Sequence, residues 1–87
     1  MSDSLYHCRV CGWRHEKPPW GLDAKTPHFT HCDCCGTEVG WQDRTPELAH
    51  KTRAKWIERG TPWFTRALKP ADWNLEQQLK DVPENYR

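Results

Sequence analysis

Long apolar runs are missing from this chain of 87 residues. No stretch approaches the ~18 consecutive apolar residues of a membrane span, and the polar opening from Met1 to His7 has no apolar centre of the kind a secretory signal carries. The expectation is a protein with no membrane partner in a reducing, cytoplasmic setting. Apolar residues in general are few, at 36% of the chain where globular domains, counted with glycine, have about 45–50%. A chain of this size buries only about 60% of its unfolded surface, so apolar burial needs help from a staple of some kind. A strong charge of one sign is absent too. The net charge of +1 argues against a simple electrostatic binder of polyanions, although the charges are unevenly spread. No motif couples a nucleophile to a base and no glycine-rich phosphate loop occurs, so the chain reads as a non-enzyme.

What the chain does have is cysteine in a pattern. Cys8-Arg9-Val10-Cys11-Gly12 and Cys32-Asp33-Cys34-Cys35-Gly36 each place two thiols three positions apart with a glycine straight after. A Cys-x-x-Cys turn brings two sulfurs to about 3.5–4 Å of each other, and two such turns supply the four sulfurs that a tetrahedral ion takes at about 2.3 Å. Glycine suits the position after the second thiol because the chain turns sharply there and only glycine reaches positive φ without steric cost. The interval from Gly12 to His31 falls at the upper edge of the spacing that zinc-binding Cys-x-x-Cys pairs show. The predicted metal ligands are therefore Cys8, Cys11, Cys32 and Cys35. Four thiolates fill a tetrahedron and leave no position for water, so the ion is read as structural Zn2+. Ion binding coupled to folding contributes on the order of 10 kcal/mol in small modules, which answers the shortage of apolar residues. Cys34 is left over, as an exchangeable ligand, a reactive thiol or a bystander; His31, beside Cys32, is within reach of a thiolate.

Read in order, the chain suggests two hairpins and two helices. Leu5 to His7 and Trp13 to His15 suit the arms of a first hairpin, with Tyr6 over one side of the metal site. The segment from Glu16 to Pro27, with Pro18, Pro19, Gly21 and Pro27, is an extended loop with Trp20 at its centre. Thr26 to Thr30 and Thr37 to Trp41 suit the arms of the second hairpin. Thr45 is a good N-cap and Pro46 a good first helical residue, so a helix is predicted from Pro46 to Arg59, ending at Gly60. Leu48, Ala49, Thr52, Trp56 and Ile57 form its docking stripe, while Lys51, Lys55 and Glu58 face water. Asn74 caps a short second helix to about Asp81, with Leu75, Leu79 and Val82 inward. Pro83 closes that helix, and residues 84–87 are expected to fray. Trp41, Trp56, Trp63, Trp73 and Phe64 are expected to fill the seam between hairpins and helices. The fold class that follows is small α+β: a four-cysteine zinc ribbon of two β-hairpins over 1–44, and a helical extension over 45–87 packed on it as one compact unit.

Two resemblances extend this reading. The run Tyr6-His7-Cys8-Arg9-Val10-Cys11-Gly12-Trp13 resembles the first knuckle of rubredoxins, which implies iron and electron transfer as the alternative to zinc. The second knuckle, with Asp33 where those proteins have proline, resembles the small bacterial cysteine-rich proteins named for a Cys-Pro-Cys-Cys motif. The runs Pro18-Pro19-Trp20-Gly21, Val39-Gly40-Trp41-Gln42-Asp43 and Pro70-Ala71-Asp72-Trp73-Asn74-Leu75 look like a longer subgroup of those proteins with a helical tail. Some relatives of this kind are thought to be immunity proteins, so the resemblance implies a protein partner, a bacterial toxin domain, that this chain binds and blocks. Trp20, Arg53 and Arg59 are the candidate partner-binding residues, since interfaces concentrate their energy in tryptophan, tyrosine and arginine. The alternative is nucleic-acid binding through the segment Lys51 to Lys69, where Leu48 to Lys69 holds six basic residues and one acid and bases would stack on Trp56, Trp63 and Phe64.

Overall fold

The structure, a computed structural model, describes residues 3–87. Helix α1 (Pro46–Glu58) begins where capping chemistry puts it: the Thr45 hydroxyl accepts from the Leu48 N–H at 3.1 Å, and Pro46 occupies the first turn, where a missing N–H costs nothing. It stops one residue short of Arg59, which caps it. Gly60 then takes φ +87°, and paired 3.0 Å bonds from Gly60 N–H to the Ile57 carbonyl and from Thr61 N–H to the Trp56 carbonyl close the last turn. Helix α2 (Leu75–Leu79) is shorter than expected and starts at Asn74, whose side chain accepts from the Gln77 N–H at 3.0 Å. Among the described residues, three 3-10 turns complete the regular structure: Asp3–Tyr6, Arg66–Leu68 and Glu84–Tyr86. The last of these lies where fraying was expected. It is held because the Tyr86 ring stacks under the Arg9 guanidinium at 4.3 Å and the Arg87 side chain donates to the carbonyls of Lys80 and Val82.

The zinc-ribbon fold class is overturned. Among the described residues there is no β-strand, and the hairpins reduce to two isolated antiparallel bridges, His7 with Arg14 and His31 with Glu38. A ladder needs several consecutive extended residues on both sides of the turn, and near each bridge the chain leaves an extended path. Asp3–Tyr6 coils into a 3-10 turn immediately before His7. Phe29 has φ +50° just ahead of the second knuckle, and Gly40 has φ +98° just after it, inside a turn closed by Trp41 N–H on the Glu38 carbonyl at 3.0 Å. The molecule is therefore mostly loop, organised by two helices and two cysteine turns.

What these loops enclose is built largely of sulfur. The buried cluster comprises all five cysteines with Val10, Ala49, Trp56 and Trp63, so few apolar side chains remain to hold the chain once the thiols are discounted. Helix α1 docks on it through Ala49 and Trp56, while Leu48 and Ile57, assigned to the same stripe, are 38% and 40% exposed. Four tryptophans run through the seam edge to face: Trp13 on Trp63 (5.0 Å between centroids), Trp63 on Trp73 (5.5 Å) and Trp73 on Trp56 (6.2 Å). Trp13 thus takes a place expected of Trp41, which is 57% exposed, as is Phe64 at 58%.

Candidate metal centre

The two cysteine turns are built alike, bond for bond. In the first, Cys8 N–H meets the Trp13 carbonyl (2.9 Å), Gly12 N–H the Cys8 carbonyl (3.0 Å) and His15 N–H the Tyr6 carbonyl (2.8 Å). In the second, Cys32 N–H meets the Thr37 carbonyl (3.0 Å), Gly36 N–H the Cys32 carbonyl (2.9 Å) and Val39 N–H the Thr30 carbonyl (2.8 Å). Gly12 and Gly36 have φ +84° and +76°, the left-handed conformation that lets the chain turn back under the sulfurs.

Facing one another, the two turns bring the Sγ atoms of Cys8, Cys11, Cys32 and Cys35 within 4.8 Å of one another, all four residues buried. Across the turns, Cys8 Sγ lies 3.7 Å from Cys35 Sγ and Cys11 Sγ 3.6 Å from Cys32 Sγ. A tetrahedron of sulfurs about 2.3 Å from its centre has edges of about 3.8 Å, so this donor set fits a tetrahedral metal ion. Thiolate-supporting bonds are in place as well: Val10 N–H donates to Cys8 Sγ (3.3 Å), and the buried Thr37 hydroxyl lies 2.8 Å from Cys35 Sγ. Hydrogen bonds from Cys11, Cys32 and Cys35 pull the Cys8 thiol well below its ordinary range, while burial pushes Cys11 and Cys32 well above it. A bound cation favours the deprotonated form of each ligand.

Cys34 lies outside this set. It is buried, and its Sγ accepts from Gln78 Nε2 at 3.3 Å. The same amide donates to the Cys11 carbonyl at 3.0 Å and accepts from Trp73 Nε1 at 2.8 Å, which links α2 to both turns. His31 is exposed and stacks on Phe64, with ring centroids 5.1 Å apart.

The predicted surface residues have unlike places. Trp20 is half-buried: its Nε1–H donates to Asp43 Oδ2 at 2.9 Å, and the Arg9 guanidinium lies 3.9 Å from its ring centroid. Burial raises the Asp43 carboxyl above its ordinary range, against the pull of Trp20 and Gly40 N–H donors. Arg53 turns inward, donating to the carbonyls of Val10 (2.6 Å), Arg9 (3.1 Å) and Tyr86 (2.6 Å). Sequence reasoning missed that role because a helical arginine reads as solvent-facing; its spacing between Ala49 and Trp56, on the same face of α1, was the available signal. Arg59 is exposed beside Lys51 and Lys55, whereas Lys69 lies over the Trp73 ring at 5.3 Å. The basic segment is thus divided among separate surroundings.

No helix among the described residues is long and apolar enough to cross a membrane. No protein-family model, curated protein or solved structure matches the chain, and a four-cysteine cluster does not by itself assign one.

Proposed function

We propose that this chain is a non-catalytic, zinc-clamped module whose task is to bind another protein, and that, as the likeness of its second knuckle to the Cys-Pro-Cys-Cys proteins suggests, the partner is a bacterial toxin domain that it occludes as an immunity protein. The observation that carries the reading is a contrast of exposure. Four sulfurs at tetrahedral spacing are buried, with Cys8, Cys11 and Cys32 at 1% exposure or less, whereas Phe29, Trp41 and Phe64, all flanking or covering the second turn, are 57–61% exposed. A saturated, enclosed ion offers a substrate no coordination position. Large aromatics left in water beside a rigid core are the composition of a protein interface.

Elemental analysis of the purified chain tests the metal: one zinc per chain is expected, and a red, iron-loaded preparation overturns zinc in favour of the rubredoxin-like alternative. Copurification from the native host, followed by a growth-protection assay with the recovered partner, tests the function. A stoichiometric complex that protects the cell is the expected result. Recovery of the chain consistently alone, with no toxin domain encoded beside it, overturns the immunity reading.

A further inference from the structure

One groove brings the metal centre, an exposed aromatic and the unpaired cations together. About 330 Å³ in volume, it runs between α1 and the chain leaving the second turn, and its lining includes Trp41, Leu48, Lys51, Lys55, Arg59 and Cys35. The three cations recur every four residues, so they stand in one row about 6 Å apart along the helix. No ion pair with a described carboxylate engages them. Cys35 is 8% exposed, the most of the four clustered cysteines.

We propose that this groove is the docking site for an acidic segment of the protein partner, one carrying carboxylates at helical or extended intervals and an apolar side chain that seats against Trp41 and Leu48. The inference rests on the protein-binding reading above and gives that partner a chemistry. Charge complementarity selects an anionic occupant, and the exposed Trp41 and Leu48 side chains select one with a hydrophobic anchor. A peptide suits the groove better than a nucleic-acid strand. Single-strand platforms stack successive bases on several aromatics along a continuous basic track, whereas here one exposed tryptophan, Trp41, stands beside three cations, Glu47 and Glu58 belong to the same helix, and the whole chain has a net charge of +1. The occupant lies over Cys35, so binding also shields the most exposed of the four ligands from a chelator.

Selection of a phage-displayed library of random dodecapeptides on the metal-loaded chain tests this directly, in parallel with the triple variant Lys51→Glu/Lys55→Glu/Arg59→Glu. The altered side chains are exposed, and unchanged metal content and circular dichroism establish that the variant is folded. Acidic peptides with an apolar anchor should be enriched on the parent chain, lose about tenfold or more in affinity on the triple variant, weaken on Trp41→Ala, and slow the release of metal to a chelator. Absence of enrichment, peptides of another chemistry, or equal binding by the triple variant overturns the proposal. Tighter binding of a dodecathymidylate than of the selected peptides, measured by fluorescence anisotropy, replaces the peptide with a nucleic acid. If the native partner copurifies equally with the parent and the triple variant, the groove is wrong while the protein-binding reading stands; if no protein partner exists, both fall.

Discussion

The two cysteine turns share a backbone but are held by different means, and the difference divides the molecule into a closed side and an open one. Arg9 and Val10 of the first turn correspond to Asp33 and Cys34 of the second. In the first, one guanidinium, that of Arg53, reaches both carbonyls and ties them to the Tyr86 carbonyl near the chain end. In the second, the same two carbonyls accept from backbone: Thr65 N–H meets Asp33 at 2.8 Å and Phe64 N–H meets Cys34 at 3.0 Å. A side chain thrown across from a helix lets α1, α2 and the C-terminal turn all close over the first turn. A bent loop segment laid along the second satisfies the same groups, yet leaves Phe64 lying outside and the region around Trp41 uncovered. Local geometry is therefore set by the Cys-x-x-Cys-Gly pattern, and the role of each copy by what packs on it.

Ligand substitutions test whether the turns are equal where they should be. Cys11→Ser and Cys35→Ser should each abolish stoichiometric metal binding and, with it, a contribution on the order of 10 kcal/mol, leaving the chain unfolded by circular dichroism. Cys34→Ser should keep the metal, since a hydroxyl also accepts from Gln78 Nε2; equal metal loss in all three would show that the fifth thiol is a ligand.

Glycine substitutions should separate the turns. An alanine at either glycine carries the cost of positive φ, about 1–2 kcal/mol. At Gly12 its Cβ would also collide with the Gln78 carbonyl oxygen, a backbone atom of α2, whereas at Gly36 it meets the Phe64 ring at 3.3 Å, a side chain with room to move. Chemical denaturation should show Gly12→Ala losing several kcal/mol more than Gly36→Ala. Comparable losses would mean that α2 is not a fixed lid.

Smaller effects sharpen the same contrast. Arg53→Met retains the aliphatic stem but leaves the Arg9 and Val10 carbonyls without their donor, for a loss of about 2–3 kcal/mol in thermal or denaturant melts. Thr65→Val on the open side removes only the 2.8 Å hydroxyl bond to Asp33 Oδ1 and should cost about 1 kcal/mol. Smallest of all, Phe64→Ala and Phe29→Ala, at side chains 58% and 61% exposed, should change stability by under about 1 kcal/mol while weakening partner capture in a pull-down.

Much of the local chemistry was legible before any coordinates. Paired thiols, the glycines behind them, the Thr45 and Asn74 caps and the Gly60 stop depend on neighbours in sequence, and each appears in place. The hairpins were not legible, because strand formation depends on residues such as Phe29, whose left-handed conformation no propensity foretells. The direction of charged and aromatic side chains was equally hidden. Arg53 turns inward because carbonyls three-dimensionally close but distant in sequence need a donor, and Trp13 rather than Trp41 joins the aromatic row because the first turn is the covered one.

The cross-turn pairing of sulfurs carries a last consequence, for a cell under oxidative stress. Cys8 Sγ lies 3.7 Å from Cys35 Sγ and Cys11 Sγ 3.6 Å from Cys32 Sγ, so an oxidant that strips the ion finds each of these thiols with a partner in the other turn. Disulfides formed from those matches would join the same two segments that the ion joined. Loss of metal in such conditions would exchange one cross-link for another, preserving the overall connectivity of the module until reductant and metal return.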